Sequence, residues 1–267
     1  MPNSQEPELF VCAIASSSIE DELLNGMRQS AAQNAVDINI HRFDSGYKSF
    51  FQAKVEELSA FLNKATISGQ VVMYVDSTDV LFLKPLNGVV DAFRNFSSKI
   101  VFGAEKICFP AKREKEFSFD PSYENNRFLN AGCFIAERDY LLESLEFLKK
   151  KNLTVRSDND QSLWIDSFLD RELEILLDYK CEIFQNCSWK SEVDIERKDG
   201  VVFNSVSKYS PYVLHYPGGN LDGGRKALFG PLQSFLASNE NSRFINPYLE
   251  TVKEMGPKKA LEFIKSQ

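Results

Sequence analysis

Asp76 and Asp79 stand three residues apart in the stretch YVDSTDVLFL. Carboxylates this close are costly to desolvate unless cations or hydrogen bonds compensate them. The pair suggests a hard divalent ion and, with it, a phosphate or diphosphate ligand; an ordinary acidic turn is the alternative. The chain has two histidines. His215 follows the mostly apolar PYVL and precedes YPGGN. Imidazole beside oxygen donors suits manganese, and the same donors admit magnesium. His41 occupies a polar position in an alternating segment and reads as a partly exposed strand residue. A second acidic group, Asp158 and Asp160 with Gln161, lies in SDNDQSLW. Ser157 would cap a helix there, and the amide donors of its first turn favour carboxylates. Capping accounts for one carboxylate; two with an amide suggest a sugar-binding or catalytic cluster. Asp178 interrupts an apolar run, so a buried hydrogen-bonding role and a catalytic one compete. Lys54, near a helix start, could reach a phosphate or ribose, or be a solvated lysine.

These side chains need elements to hold them. Val71 to Val75 is an unbroken apolar run, which predicts a central strand buried on both faces. Ser77 and Thr78 then form the turn at its carboxyl end, where open α/β sheets place ligands. Leu9–Ser16 predicts a first strand. A helix capped by Ser17 or Ser18 follows, with Ile19, Leu23, Met27 and Ala31 on one face, and then a second strand ending near Phe43. This is a Rossmann-like opening, but no glycine fingerprint follows the first strand, which argues against a dinucleotide site. Lys54 falls on a helix with the stripe Phe51, Val55, Leu58 and Leu62. Asn130, Ala131 and Gly132 separate two apolar stretches, and small residues there permit close approach by a ligand or another backbone. The segment Cys108–Asn126 holds a charge run and four aromatics, Phe109, Phe117, Phe119 and Tyr123. It reads either as a loop closing over a ligand or as an excursion anchored by its rings. Residues 221–267 read as helical cover for the sheet, and residues 1–267 as a single domain.

Composition narrows the classes. Of 267 residues, 43% are apolar and 26% charged, ordinary for a globular chain. A net charge of -7 disfavours nucleic-acid binding, although a bound metal could still bring a nucleotide to an acidic site. None of the five cysteines forms a CxxC; Cys12, Cys108 and Cys133 sit in apolar surroundings and read as buried thiols. No apolar span is long enough for a membrane helix and no signal peptide is visible, so cytoplasm is the default expectation.

Six segments in order resemble the glucosyltransferase domain of procollagen lysyl hydroxylases and related collagen-modifying glycosyltransferases, a branch of the GT-A fold. They are YVDSTDVLFL at 74–83, FGAEKICFP at 102–110, RFLNAGCFIAE at 127–137, SDNDQSLW at 157–164, LDYKCEIFQN at 177–186 and VLHYPGGN at 213–220. The resemblance runs from Leu9 to Asn220. It implies a GT-A-type α/β fold, a central mostly parallel sheet flanked by helices. It also implies a transferase using Mn²⁺, or Mg²⁺, with UDP-glucose or UDP-galactose as donor. Asp76, Asp79 and His215 would hold the metal. Lys54, Asp76, Phe109, Asn130, Gln161 and Asn220 would form the donor-binding set, Phe109 replacing an aromatic, usually tryptophan, over the donor. Asp158 and Asp160 would orient or deprotonate the acceptor hydroxyl, and Asp178, with Asn186, would line the acceptor side. The expected acceptor is a hydroxyl-bearing peptide or sugar, with hydroxylysine or galactosyl-hydroxylysine of collagen-like peptides foremost.

Four elements depart from the family pattern. The glycines before the lysine read SFF, NSGG reads NAGC, and HGNG reads HYPGGN, which displaces Asn220. The acidic run is shortened to DND. These changes bear on donor and acceptor choice more than on metal binding. They also motivate alternatives: a GT-A-shaped interaction protein without transfer activity, or a saccharide-specific transferase. A nucleotidyltransferase would use similar carboxylates. No hydroxylase domain follows, so the expectation is sugar transfer without lysine hydroxylation.

Overall fold

The computed structural model describes residues 8–44, 50–64, 70–118, 126–155, 159–188, 191–217, 223–238, 240–256, 258–260 and 262. In chain order the first half comprises β1 (Leu9–Ser16), α1 (Asn25–Gln33), β2 (Ile38–Phe43), α2 (Phe50–Lys64), β3 (Val71–Val75), β4 (Val80–Phe82), α3 (Val89–Arg94) and β5 (Ile100–Glu105). There follow β6 (Phe128–Glu137), α4 (Arg138–Val155), α5 (Asp160–Leu169), β7 (Leu176–Asp178) and β8 (Phe184–Asn186). The chain continues through β9 (Ile195–Lys198), β10 (Val201–Asn204), β11 (Val213–His215), α6 (Gly223–Ala237), β12 (Ser242–Arg243) and α7 (Pro247–Met255).

The strands with unbroken apolar runs lie at the centre. One six-stranded sheet has the order β2-β1-β3-β6-β5-β7. Its pairings are parallel except at β6, which runs antiparallel to β3 and β5. This is the expected mostly parallel sheet flanked by helices. On one face α2, α4 and α5 contribute Val55, Leu58, Leu62, Leu141, Leu145, Leu148, Leu163 and Trp164. The opposite face receives Met27 and Ala31 of α1 and Val89 and Phe93 of α3. Burial on both faces is what a strand without polar alternation requires.

Two three-stranded sheets complete the architecture. One has the order β4-β11-β8, with β11 antiparallel to β4 and parallel to β8. The other is β10-β9-β12. Asp199 and Gly200 join β9 to β10, with φ of 52° and 80°, the left-handed pair that a tight hairpin demands.

Two sequence expectations change here. The first helix starts at Asn25, after a 3₁₀ turn over Asp21–Leu24, and Leu24 rather than Leu23 reaches the interior. Of the C-terminal segment expected as helical cover for the sheet, α6 packs on the smaller sheets. Leu228 and Leu232 of α6 join Ile195, Val202 and Phe244 in a separate cluster around the smaller sheets, and β12 extends one of them. All five cysteines are free and buried. Among the described residues, no helix is long and apolar enough to cross a membrane.

Candidate functional site

The carboxyl ends of β3 and β5, the beginning of β6 and the end of β11 meet at one edge. Asp76 is the first residue after β3, and its N–H donates to the Gly132 carbonyl at 2.7 Å. Asp79 precedes β4, whose Val80 pairs with His215 in β11. The Tyr216 N–H donates to the Asp79 carbonyl at 2.9 Å, which fixes the two chains where their functional side chains emerge.

Asp76, Asp79 and His215 each offer one ligand atom, all within 4.8 Å of one another. His215 Nε2 lies 3.7 Å from Asp76 Oδ2 and 3.7 Å from Asp79 Oδ1. Those gaps are too long for hydrogen bonds, and Nε2 has no hydrogen-bond partner among the described residues although it is buried. A buried nitrogen without a partner, facing two carboxylates, is what a divalent cation would satisfy. Space supports the same fit. A Cβ added at Gly132 would lie 2.2 Å from His215 Cε1 and 2.8 Å from Asp76 Oδ2, so the close approach expected of Asn130–Gly132 is real. Burial lowers the His215 imidazole to about 4, against the pull of Asp76; near neutral pH it is the uncharged ligand form.

The other oxygen of Asp76 is held by the protein. Tyr74 O–H donates to Oδ1 at 3.0 Å, and Lys54 Nζ lies 2.9 Å from it. Lys54 is 6% exposed, which excludes a solvated lysine, and it also lies 3.4 Å from Asp160 Oδ2. Burial alone would depress its ammonium, but Asp160 and Asp76 outweigh that and hold it above the ordinary lysine value. Asp160, at the start of α5, is buried, and burial raises its carboxyl despite Lys54. The helix cap is Asn159, whose side chain accepts from the Ser162 N–H. Ser157 and Asp158 lie outside the described residues, as does Asn220.

Gln161 stitches three segments together. Its Oε1 accepts from the Ala131 N–H at 2.8 Å, and its Nε2 donates to the Phe109 carbonyl and, at 3.4 Å, to Glu105 Oε1. Asn130 is buried; its Oδ1 accepts from the Gly132 N–H at 2.8 Å and its side chain also bonds Glu105. Phe109 is 59% exposed at this rim. Arg113, four residues on, pairs with Glu116, Asp166 and Asp170 and so ties the loop to α5. Phe119 and Tyr123 of the same loop lie outside the described residues.

Asp178 turns its carboxylate to backbone amides rather than to the other acidic groups. Its Oδ1 accepts from the Glu182 N–H and its Oδ2 from the Ile183 and Phe184 N–H groups, each at 2.8 Å. Of the two roles left open by sequence, this is the hydrogen-bonding one. His41 pairs with Glu57 at 2.9 Å and stacks on Phe61, a partly exposed strand residue as expected.

Glu105 escaped sequence reasoning. It is buried among Gln161 and Asn130, and burial pushes its carboxyl up to about 8 while bonds from those two side chains pull it down. The signal was available: Glu105 ends the apolar run IVFGA as Asp76 ends VVMYV.

Known proteins resemble this chain over most of its length. A family model described as the PLOD GT domain matches residues 5–243. The multifunctional procollagen lysine hydroxylase and glycosyltransferase of Caenorhabditis elegans is 29% identical over 89% of this chain and 33% of its own length. Procollagen-lysine,2-oxoglutarate 5-dioxygenase 1 of Gallus gallus is 30% identical over 69% of this chain and 26% of its own. The chain thus spans about a third or less of these relatives. Among solved structures, a glycosyltransferase involved in the glycosylation of the major capsid of PBCV-1 superposes with a TM-score of 0.49 at 10% identity, covering 79% of this chain and 94% of that one.

Proposed function

Because the chain belongs to the PLOD GT domain family, a family of GT-A glycosyltransferase domains, we propose that it transfers glucose or galactose from a UDP-sugar to a hydroxyl acceptor with a divalent ion, preferentially Mn²⁺. The observation that carries this reading is the buried, unpartnered Nε2 of His215 facing Asp76 and Asp79. Those three residues would hold the ion, which when bound supplies Lewis-acid stabilisation of the UDP leaving group.

The surrounding residues do the positioning. Tyr74 and Lys54 occupy one oxygen of Asp76 and leave the other turned toward His215. Lys54 also offsets part of the negative charge of Asp76 and Asp160, so the cluster can persist before a cation arrives. Gln161 and Asn130 hold the start of β6 against the sheet edge, and Phe109 offers an exposed ring on which a sugar's apolar face can pack. Asp160, with its neighbour Asp158, orients or deprotonates the acceptor hydroxyl; the raised carboxyl of Asp160 beside Lys54 supports that assignment. Asp178 shapes the turn into β8. Collagen-like hydroxylysine or its galactosylated form is the proposed acceptor.

Calorimetry of UDP with and without Mn²⁺ tests the site, and we expect the metal to tighten binding. UDP-glucose and UDP-galactose are then offered with hydroxylysine peptides, galactosylated peptides and simple saccharides, with products identified by mass. Metal-independent UDP binding would overturn the metal assignment. Modification of saccharides alone would overturn the collagen acceptor and leave the transferase standing.

A further inference from the structure

The His215 imidazole does not stand alone. It is the Cα partner of Asn186 in the parallel β8–β11 pairing, and its Nδ1 lies 2.7 Å from Asn186 Oδ1. Asn186 in turn donates from Nδ2 to the Ala104 carbonyl at 3.0 Å. That second bond settles the orientation of the amide. A carbonyl only accepts, so the NH₂ must face Ala104 and the oxygen must face His215. The amide oxygen also only accepts, so Nδ1 must carry the proton. A neutral imidazole has one N–H, which leaves a lone pair on Nε2, the atom turned toward Asp76 and Asp79.

Room for this arrangement is built into β5. A Cβ added at Gly103 would lie 2.6 Å from Asn186 Nδ2. The β5–β6 register shifts between Phe102 and Gly103, beside the place where the amide crosses. Asp178, the parallel partner of Gly103, accepts the Ile183 and Phe184 N–H groups and so fixes the start of β8. Ala104, Gly103, Asp178 and Asn186 together form a buried support for one imidazole.

We propose that Asn186 is a positioning residue that selects the Nδ1–H tautomer of His215 and aims its Nε2 lone pair at the cation site between Asp76 and Asp79. The metal half of this inference rests on the proposed function; the tautomer half does not. Removing such an outer hydrogen bond costs on the order of 10–100-fold in metal affinity.

Long-range ¹H–¹⁵N NMR of the metal-free protein reads the tautomer directly. With two histidines in the chain, a His41→Asn variant assigns the signals. We expect His215 to show a protonated Nδ1 and a bare Nε2; the reverse pattern, or an average of both, would overturn the assignment. Manganese titration followed by electron paramagnetic resonance supplies the second readout. Asn186→Leu should weaken Mn²⁺ binding by about 10–100-fold, whereas Asn186→Asp, which keeps an acceptor for Nδ1–H, should retain the tautomer and bind more tightly than Asn186→Leu. Equal affinity in Asn186→Leu and the parent would overturn the positioning role. Should Asn186→Leu fail to fold, the nitrogen pattern of the parent decides. A parent that binds no Mn²⁺ would overturn the metal reading itself, and the same spectrum would still decide for or against the tautomer.

Discussion

The Asp76–Asp79–His215 corner hangs on strand ends, whereas the Phe109–Gln161 side hangs on a loop and the first turn of a helix. At the corner, ladder bonds of β3, β4, β6 and β11 fix the backbone, and Asp79 and His215 are buried. On the loop side, the Phe109 ring is exposed and Arg113 holds its segment through ion pairs with three carboxylates, two of them largely exposed. Solvent-exposed pairs contribute little and weaken with salt. The difference suits what each side would meet. An ion needs ligands fixed before it arrives, while a sugar or peptide acceptor has to pass in and out.

Changes at the corner should therefore be severe. In Asp79→Ala, calorimetry should show metal-assisted UDP binding weakened by more than about 100-fold, beyond the loss from an outer-sphere partner. A variant that binds UDP and Mn²⁺ like the parent would remove Asp79 from the ligand set. Glu105, between the two sides, should show its effect through pH. Its folded value of about 8 lies above the ordinary 4.5, so the folded state holds this proton more tightly than the unfolded chain. The resulting stability is complete below about pH 4.5 and is lost as pH rises through about 8. The slope reaches about 1.4 kcal/mol per pH unit in that window. Glu105→Gln should flatten this part of a pH series of urea unfolding curves, and an unaltered slope would show that the carboxyl does not titrate there.

Arg113→Ala should be mildest. Unfolding free energy should fall by about 1 kcal/mol, with UDP affinity unchanged and the acceptor KM raised several-fold. Raising salt should reproduce the KM change in the parent and add little in the variant. A loss of UDP affinity matching that of Asp79→Ala would erase the contrast between the two sides.

Sequence made the strand ends legible because an apolar run that stops at a carboxylate is a local pattern. Asp76 and Asp178 both show it, and Glu105 could have been found by the same rule. What the side chain then meets is not local. Asp178 turned inward to three backbone amides, while Asp76 faces the site. Lys54 looked like a surface lysine because its partner Asp160 is more than a hundred residues away in sequence. Asn130 was harder still. Antiparallel β6 brings its beginning, rather than its end, to the site edge, so most of the strand's apolar run follows the polar residue instead of leading up to it. The apolar residues of α6 were equally plain, but periodicity does not tell a helix which sheet it will cover.

The β4–β11 pairing also has a consequence for how the chain is made. Val80 and His215 are neighbours across that ladder yet 135 positions apart, so closing it is among the slower kinds of contact a chain must form. At about 5–20 residues per second of synthesis, roughly 7–27 s separate the emergence of the two positions. During that interval the nascent chain carries both aspartates and no imidazole to complete them. If Asp76, Asp79 and His215 hold the ion as proposed, manganese added to ribosome-bound fragments ending before β11 should find only two of the three; the proposed site is born with its last strand.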